Sequence, residues 1–446
     1  MPVLLPIEYD QTTQERQDPY GRLIDAGSGG HQVRRSILPG GIRVISESMP
    51  SLRSVSVGFW VGVGSRDETA GMFGSTHFLE HLLFKGTSNR SALEIAQAFD
   101  RVGGESNALT AKEHTCYYAR VLGEDLAMAV DVLADMVVNA VLDPELMEQE
   151  RGVILEEIAM DQDDPTDLVF ENFMGQLMGQ HPLGRPIGGS RPEIEQVSRQ
   201  AVWEHYKKFY TPDRLVISAA GALEHQQLVD LVYRSLSRYG WIDQKREQRA
   251  QPQQRRPRRQ QSIIPEKSLG EMTKGFEQAN IVMGCPSLIA GDERRYAMSV
   301  LTAALGGGMS SRLFQQIREK RGLAYSTFAF STSYADTGYF AMYAGCLAAK
   351  VEQVCQLMRH EFAELARTGL SEAELAKVAG QLSAATVMGS EDASSRMSRL
   401  GRAELEAGRY TSLDELQQAI RSVSLDEVQQ LAAWLAEQQM ITTILY

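Results

Sequence analysis

Two passages of the chain repeat at nearly the same spacing. LDPELMEQERGVILEE from Leu142 is echoed by LSEAELAKVAGQLSAA from Leu370, an offset of 228 (370 − 142). VSRQAVWEHY from Val197 is echoed by VSLDEVQQLA from Val423, an offset of 226 (423 − 197). The 446 residues therefore divide into two copies of one α+β unit, each with antiparallel strands and several helices. Length agrees, since a prior of about 150 residues per domain gives such a chain two to four domains. At the same offset GGGMSSRLFQQIRE is expected opposite the helix in GSTHFLEHLLFKGT, residues 74–87. Only the latter carries histidines, so a single metal site would lie in the first half.

The boundary between the copies is QKREQRAQPQQRRPRRQQ, residues 244–261, which is almost free of apolar side chains and cannot contribute to a core. In an otherwise acidic chain it reads as a solvated linker over 241–262, with a patch for nucleic acid or an acidic partner as the alternative. The expected organisation is a flexible, mixed polar N-terminal arm over 1–33, a first domain over 34–240 and a second over 263–446. In the first, RSIL and IRVIS flank Pro39-Gly40-Gly41 as a hairpin, and SVSVGFWVGVGS and HTCYYARVL read as strands. SALEIAQAFDRVGG reads as a helix running from a Ser91 cap to a Gly103-Gly104 stop. EDLAMAVDVLADMVVNA reads as a longer amphipathic helix.

Charge and hydropathy exclude some classes of function. With 45 basic against 57 acidic residues, a net charge of −12, the chain is not a nucleic-acid-binding body. No run of about 18 apolar residues offers a membrane span. MPVLLPIEYDQTTQERQ lacks the pattern of a secretory signal, and the expected compartment is the cytosol. Cys116, Cys285, Cys346 and Cys355 show no paired spacing and are expected as reduced, small apolar fillers.

Residues 74–87 place His77, Glu80 and His81 among Phe78, Leu79, Leu82, Leu83 and Phe84. Burying polar groups costs free energy unless each finds a partner. Residues four apart share a helix face, so His77 and His81 can present imidazoles to one ion with Glu80 close by. That arrangement suits zinc, which takes three protein ligands in catalytic sites and keeps a position for water. Glu80 is placed to accept the proton of that water. EQERGVILEEIAMDQDD supplies the remaining candidates: Glu150 and Glu157 are two helical turns apart on one face, and either can reach the ion while the other braces a histidine. Of the other histidines, His114 and His181 read as surface or hydrogen-bonding residues, and His31, His205, His225 and His360 show no partner pattern.

His77-Phe78-Leu79-Glu80-His81 is the inverted zinc-protease motif. Over residues 34–446 the chain resembles the pitrilysin-type metallopeptidases, with size and flanking sequence similar to mitochondrial processing peptidase and its bacterial relatives. The resemblance implies Glu157 as third ligand, 76 residues after His81 (157 − 81), and Glu150 as the supporting glutamate. It implies that Asn107 and Ala108, in GGESNALTAKEHTCYY, lie on an edge strand that docks peptide by β-augmentation. It gives Tyr325 a hydrogen bond to the reaction's oxyanion and Arg318 a hold on the substrate backbone. The implied fold is α+β, with two homologous domains facing each other across a substrate chamber. The implied function is a zinc endopeptidase, with one Zn2+ per chain, that acts on extended or unfolded peptides as a homodimer or within a heterodimer. The alternatives are a non-catalytic assembly subunit of the same fold and a dedicated peptide-maturation enzyme working with a partner chain.

Overall fold

A computed structural model describes residues 1–7, 21–27, 30–243 and 251–446. The first half of the chain opens with β1 (Val3–Leu4), β2 (Arg22–Ala26), β3 (Gln32–Leu38), β4 (Ile42–Ser48) and β5 (Ser54–Val61). Helices α1 (Ser75–Leu83) and α2 (Ala92–Asp100) precede the hairpin of β6 (Glu105–Thr110) and β7 (Thr115–Leu122). Then come α3 (Leu126–Asn139), α4 (Pro144–Asp163), α5 (Pro165–Met178), α6 (Arg191–Gln196), α7 (Arg199–Phe209), β8 (Leu215–Gly221) and α8 (His225–Arg238). The second half runs β9 (Leu269–Met272), β10 (Gln278–Pro286), α9 (Arg295–Gly306), β11 (Ala324–Ser333), β12 (Gly338–Leu347), α10 (Val351–Thr368), α11 (Glu372–Gly389) and α12 (Ala393–Arg402). It closes with β13 (Arg409–Tyr410), α13 (Leu413–Arg421), α14 (Leu425–Ala436) and β14 (Ile441–Leu445). No helix among the described residues is long and apolar enough to cross a membrane.

Local chemistry explains the boundaries. The β3–β4 turn uses Gly40 and Gly41 at φ 85° and 82°, where a side chain would be strained, and registers Leu38 opposite Ile42. Ser91 and Glu94 form a reciprocal capping box at the start of α2. The linking helices α4 and α11 start 228 residues apart (372 − 144), and so do α5 and α12 (393 − 165). Asp164 and Asp392 accept backbone N–H bonds at the N-termini of that second pair.

The chain forms two units, which do not coincide with its halves. Unit 1 comprises Met1–Ile158, Pro186–Arg255 and Gly389–Ser412; unit 2 comprises Ala159–Arg185, Arg256–Met388 and Leu413–Tyr446. The expected borders at 240 and 263 are thus corrected: α5 belongs to unit 2 and α12 to unit 1. Unit 1 has a seven-stranded sheet, β2-β3-β4-β8-β5-β7-β6, and unit 2 a five-stranded sheet, β11-β12-β10-β14-β9. The sheets are mixed rather than wholly antiparallel, because β4 pairs with β8 and β9 with β14 in parallel. Both parallel pairs join strands far apart in sequence, a connection long enough for helical crossovers.

In β5, Val55, Val57, Phe59 and Val61 face a core shared with α1, α3 and α8. Trp60 faces a second core with Met397 and Leu400 of α12. This two-sided cover is why SVSVGFWV is buried almost throughout. A Cβ on Gly58 would lie 2.6 Å from the Met397 sulfur, so glycine admits the helix there. In unit 2, Gly284 does the same for α5: its Cβ would lie 2.7 Å from the Phe173 ring.

Other expectations also need correction. The arm over 1–33 is not uniformly loose in its described parts: Val3 and Leu4 pair with Tyr410 and Arg409, β2 extends the sheet, and Leu5 and Ile24 are buried beside α12. Leu5, Ile24 and Val33 help cover that face. Residues 244–250 of the linker lie outside the described residues. Beyond them Arg255 is not merely solvated: its Nη2 lies 2.9 Å from the buried Glu404 carboxylate, which also meets Arg35 at 2.9 Å. The counterpart of α1 is α9 rather than GGGMSSRLFQQIRE, because the β10–α9 loop is shorter than the β5–α1 loop and a fixed offset slips. Aligning the helix starts sets Ala297, Val300 and Leu301 opposite His77, Glu80 and His81, and all three are buried apolar residues.

Candidate metal centre

Helix α1 buries Phe78, Leu79, Leu82 and Leu83 in the core of unit 1, which fixes its axis and turns His77, Glu80 and His81 to the opposite side. Its N-terminus is held by Glu68, 5% exposed, whose carboxylate accepts from the Gly74 N–H at 2.9 Å and the Thr76 N–H at 2.7 Å. A carboxylate there satisfies orphan donors and complements the helix dipole. Thr76 also meets buried His205, at 3.1 Å.

His77 Nε2 and His81 Nε2 lie 3.3 Å apart. Glu157 Oε2, from α4, is 3.4 Å from the second and 3.9 Å from the first. Ligands at about 2.0–2.1 Å on a tetrahedral ion stand roughly 3.3 Å from one another, so this triangle has the size a zinc ion requires. Among the described residues these three form the cluster of His, Cys, Asp and Glu suited to a metal. Burial, then the neighbouring His81, pushes His77 down to about 4, which keeps its imidazole neutral and able to ligate near pH 7. His77 Nδ1 is buried without a hydrogen-bond partner among the described residues. The residues fit zinc.

Glu150, 5% exposed, stands behind the ligands: Oε2 is 3.1 Å from His81 Nδ1, and Oε1 is 2.6 Å from Lys85 Nζ. That contact orients the His81 ring with Nε2 beside His77 Nε2 and Glu157 Oε2, the atoms that would hold an ion. Of the two glutamates left open by helical spacing, Glu157 therefore sits with the histidine Nε2 atoms and Glu150 braces. Burial raises the pKa of Glu80, opposed by a hydrogen bond from the Thr110 hydroxyl and by His81.

The proposed docking residues lie on β6, an edge strand of the unit 1 sheet. Ala108 N–H donates to the Asn107 side chain at 2.8 Å rather than to a neighbouring strand. Arg318 and Tyr325 belong to unit 2 and are brought together with each other: Arg318 Nη1 donates to the Tyr325 carbonyl at 2.8 Å, and its guanidinium lies 4.9 Å from the Tyr325 ring centroid. Tyr325 is 75% exposed. Spacing alone missed Glu68, Lys85 and Thr110. An acid just before α1 was a readable dipole signal for the first, but nothing local marks Thr110. His114 is hydrogen-bonded, to Glu406 at 2.7 Å, and His225, which shows no partner pattern in the sequence, lies between Ser36 and Ser46. All four cysteines are free and buried.

A duplicated α+β chain with a His-His-Glu donor set, two groups from α1 and one from α4, defines the class of an α+β metal-binding fold. Residues 43–191 match the family model described as insulinase (peptidase family M16), and residues 196–382 match the one described as peptidase M16 inactive domain. An uncharacterized zinc protease of Streptomyces coelicolor is 45% identical over 92% of this chain and 88% of its own length. One of Mycobacterium tuberculosis is 44% identical over 92% of each chain, and one of Bacillus subtilis 38% identical over 90% of this chain and 95% of its own. In fold the chain is similar to a protease from Helicobacter pylori (TM-score 0.83, 22% identity, 93% and 100% of the two chains). It is also similar to a structure titled peptidase M16 inactive domain from Pseudomonas fluorescens (0.81, 18%, 93% and 98%). The chain belongs to the M16 peptidase family. The apolar residues at 297, 300 and 301 account physically for a second copy without a metal site.

Proposed function

We propose that this protein is a zinc-dependent endopeptidase that hydrolyses extended or unfolded peptides. The observation that carries the reading is the convergence of His77 Nε2, His81 Nε2 and Glu157 Oε2 to within 3.3–3.9 Å of one another. When bound, zinc supplies Lewis acidity that polarises the scissile carbonyl and acidifies water. Glu80 accepts the proton of the attacking water at its carboxylate and delivers it to the amine nitrogen as the C–N bond breaks. The unpaired edge of β6 suits a substrate whose own backbone groups are free, hence an extended peptide. By the family resemblance, Tyr325 and Arg318 serve the same reaction.

The test is metal analysis combined with turnover of an unstructured peptide. About one zinc per chain is expected in the wild type, and Glu80→Gln is expected to retain it while cleavage falls below detection. Wild-type protein that binds no zinc, or a Glu80→Gln variant that cleaves normally, would overturn the reading.

A further inference from the structure

Glu80 sits on α1, but the group that holds its carboxylate comes from another element. Thr110, the last residue of β6, is 7% exposed and donates its hydroxyl to Glu80 Oε2. The backbone around Thr110 is itself pinned. Thr110 registers opposite Thr115, whose hydroxyl donates to the Val63 carbonyl at 3.0 Å. In the turn that follows, the Ala111 and Lys112 carbonyls accept from the N–H groups of Ser65 and Arg66, each at 3.1 Å, and Glu113 pairs with Arg66 at 2.6 Å. Glu68, which caps α1, lies two residues further along that segment. Residues 65–68 thus anchor both the helix bearing Glu80 and the turn that carries Thr110.

From this we propose that Thr110 is a positioning residue for Glu80, its hydroxyl selecting the carboxylate orientation in which Oε1 faces the reacting water. A glutamate side chain has three rotatable bonds, and a base that must meet a proton at hydrogen-bond distance loses rate when it samples other rotamers. Thr110 follows Asn107 and Ala108 on the same strand, so the strand offered to substrate also orients the base. The inference rests on the zinc-peptidase reading above. It adds to that reading a residue that touches neither metal nor substrate.

Thr110→Val removes the hydroxyl at nearly constant shape, and Thr110→Ser keeps it. Steady-state kinetics on an unstructured peptide, zinc content and Tm would be measured for both, with Thr110→Ala as a second hydroxyl-free variant should the valine protein not fold. The expected result is a kcat lowered about tenfold in Thr110→Val, with KM and zinc content within twofold of wild type and kcat restored to within about threefold in Thr110→Ser. A purely structural threonine would instead lower Tm and leave kcat per folded, zinc-loaded enzyme unchanged. If the hydroxyl-free variants keep wild-type kcat, or if Thr110→Ser falls as far as they do, the positioning role is overturned while the zinc-peptidase reading stands. Wild-type protein that neither binds zinc nor cleaves peptide overturns both.

Discussion

At the scale of single residues, burial decides which groups are charged. His205 has no exposed surface, and its environment pushes the imidazole down to about 4, chiefly through desolvation. Its unfolded value is near 6.5, so between pH 6.5 and 4 the unfolded chain binds more protons than the folded one. The contribution to stability is therefore complete above pH 6.5 and is lost as pH falls toward 4, about 3 kcal/mol at most. Urea unfolding of zinc-saturated wild type and His205→Gln at pH 7.5 and 5 should show a smaller pH loss in the variant; equal losses in both would contradict the assignment. Comparing two zinc-saturated proteins cancels the ligands' own competition between proton and metal. His205 also shows where sequence reading stops. The pairing of His77 with His81 and the nearness of Glu80 were legible because helical periodicity carries them, whereas periodicity left Glu150 and Glu157 open and only the family resemblance chose Glu157. The partner of His205 is Thr76, 129 residues earlier, and only tertiary packing joins them.

At the scale of elements, β6 is the informative one. Its sequence, ESNALT, does not alternate, so only the family resemblance marked it as an edge strand, and the sheet order β2-β3-β4-β8-β5-β7-β6 does place it at an edge beside β7. Even alternation would fix only which side chains share a face, not which strands are neighbours. The Ala108 N–H bonds only the adjacent Asn107 side chain, a local cover for a sheet edge that an incoming strand would displace. Proline is tolerated on edge strands where the lost N–H faces outward. Ala108→Pro should therefore fold and keep its zinc while kcat/KM on an extended peptide falls by at least about tenfold, mostly through KM. Unchanged kinetics in a folded Ala108→Pro protein would mean that substrate does not pair with this strand.

At the scale of the whole molecule, the duplication was visible in the sequence but the exchange of helices was not. Leu168, Val169, Phe173 and Leu177 give α5 an apolar face, and such a face specifies that a sheet must cover it without specifying which sheet. The fold settles this with two glycines, Gly58 under α12 and Gly284 under α5. Each unit is consequently completed by a segment encoded in the other half of the chain, so a core mutation in α5 should act far from its position in sequence. Phe173 is fully buried with Val282, Ala341, Ile441 and Leu445, and truncating such a side chain costs about 3–5 kcal/mol. Phe173→Ala should speed hydrogen exchange in β10, β12 and β14 of unit 2 while leaving β4, β5 and β8 of unit 1 close to wild type. Leu400→Ala, in α12, should do the reverse. Were Phe173→Ala to loosen the strands of its own half of the sequence instead, α5 would be a member of that half in solution, and the exchange of helices would have to be abandoned.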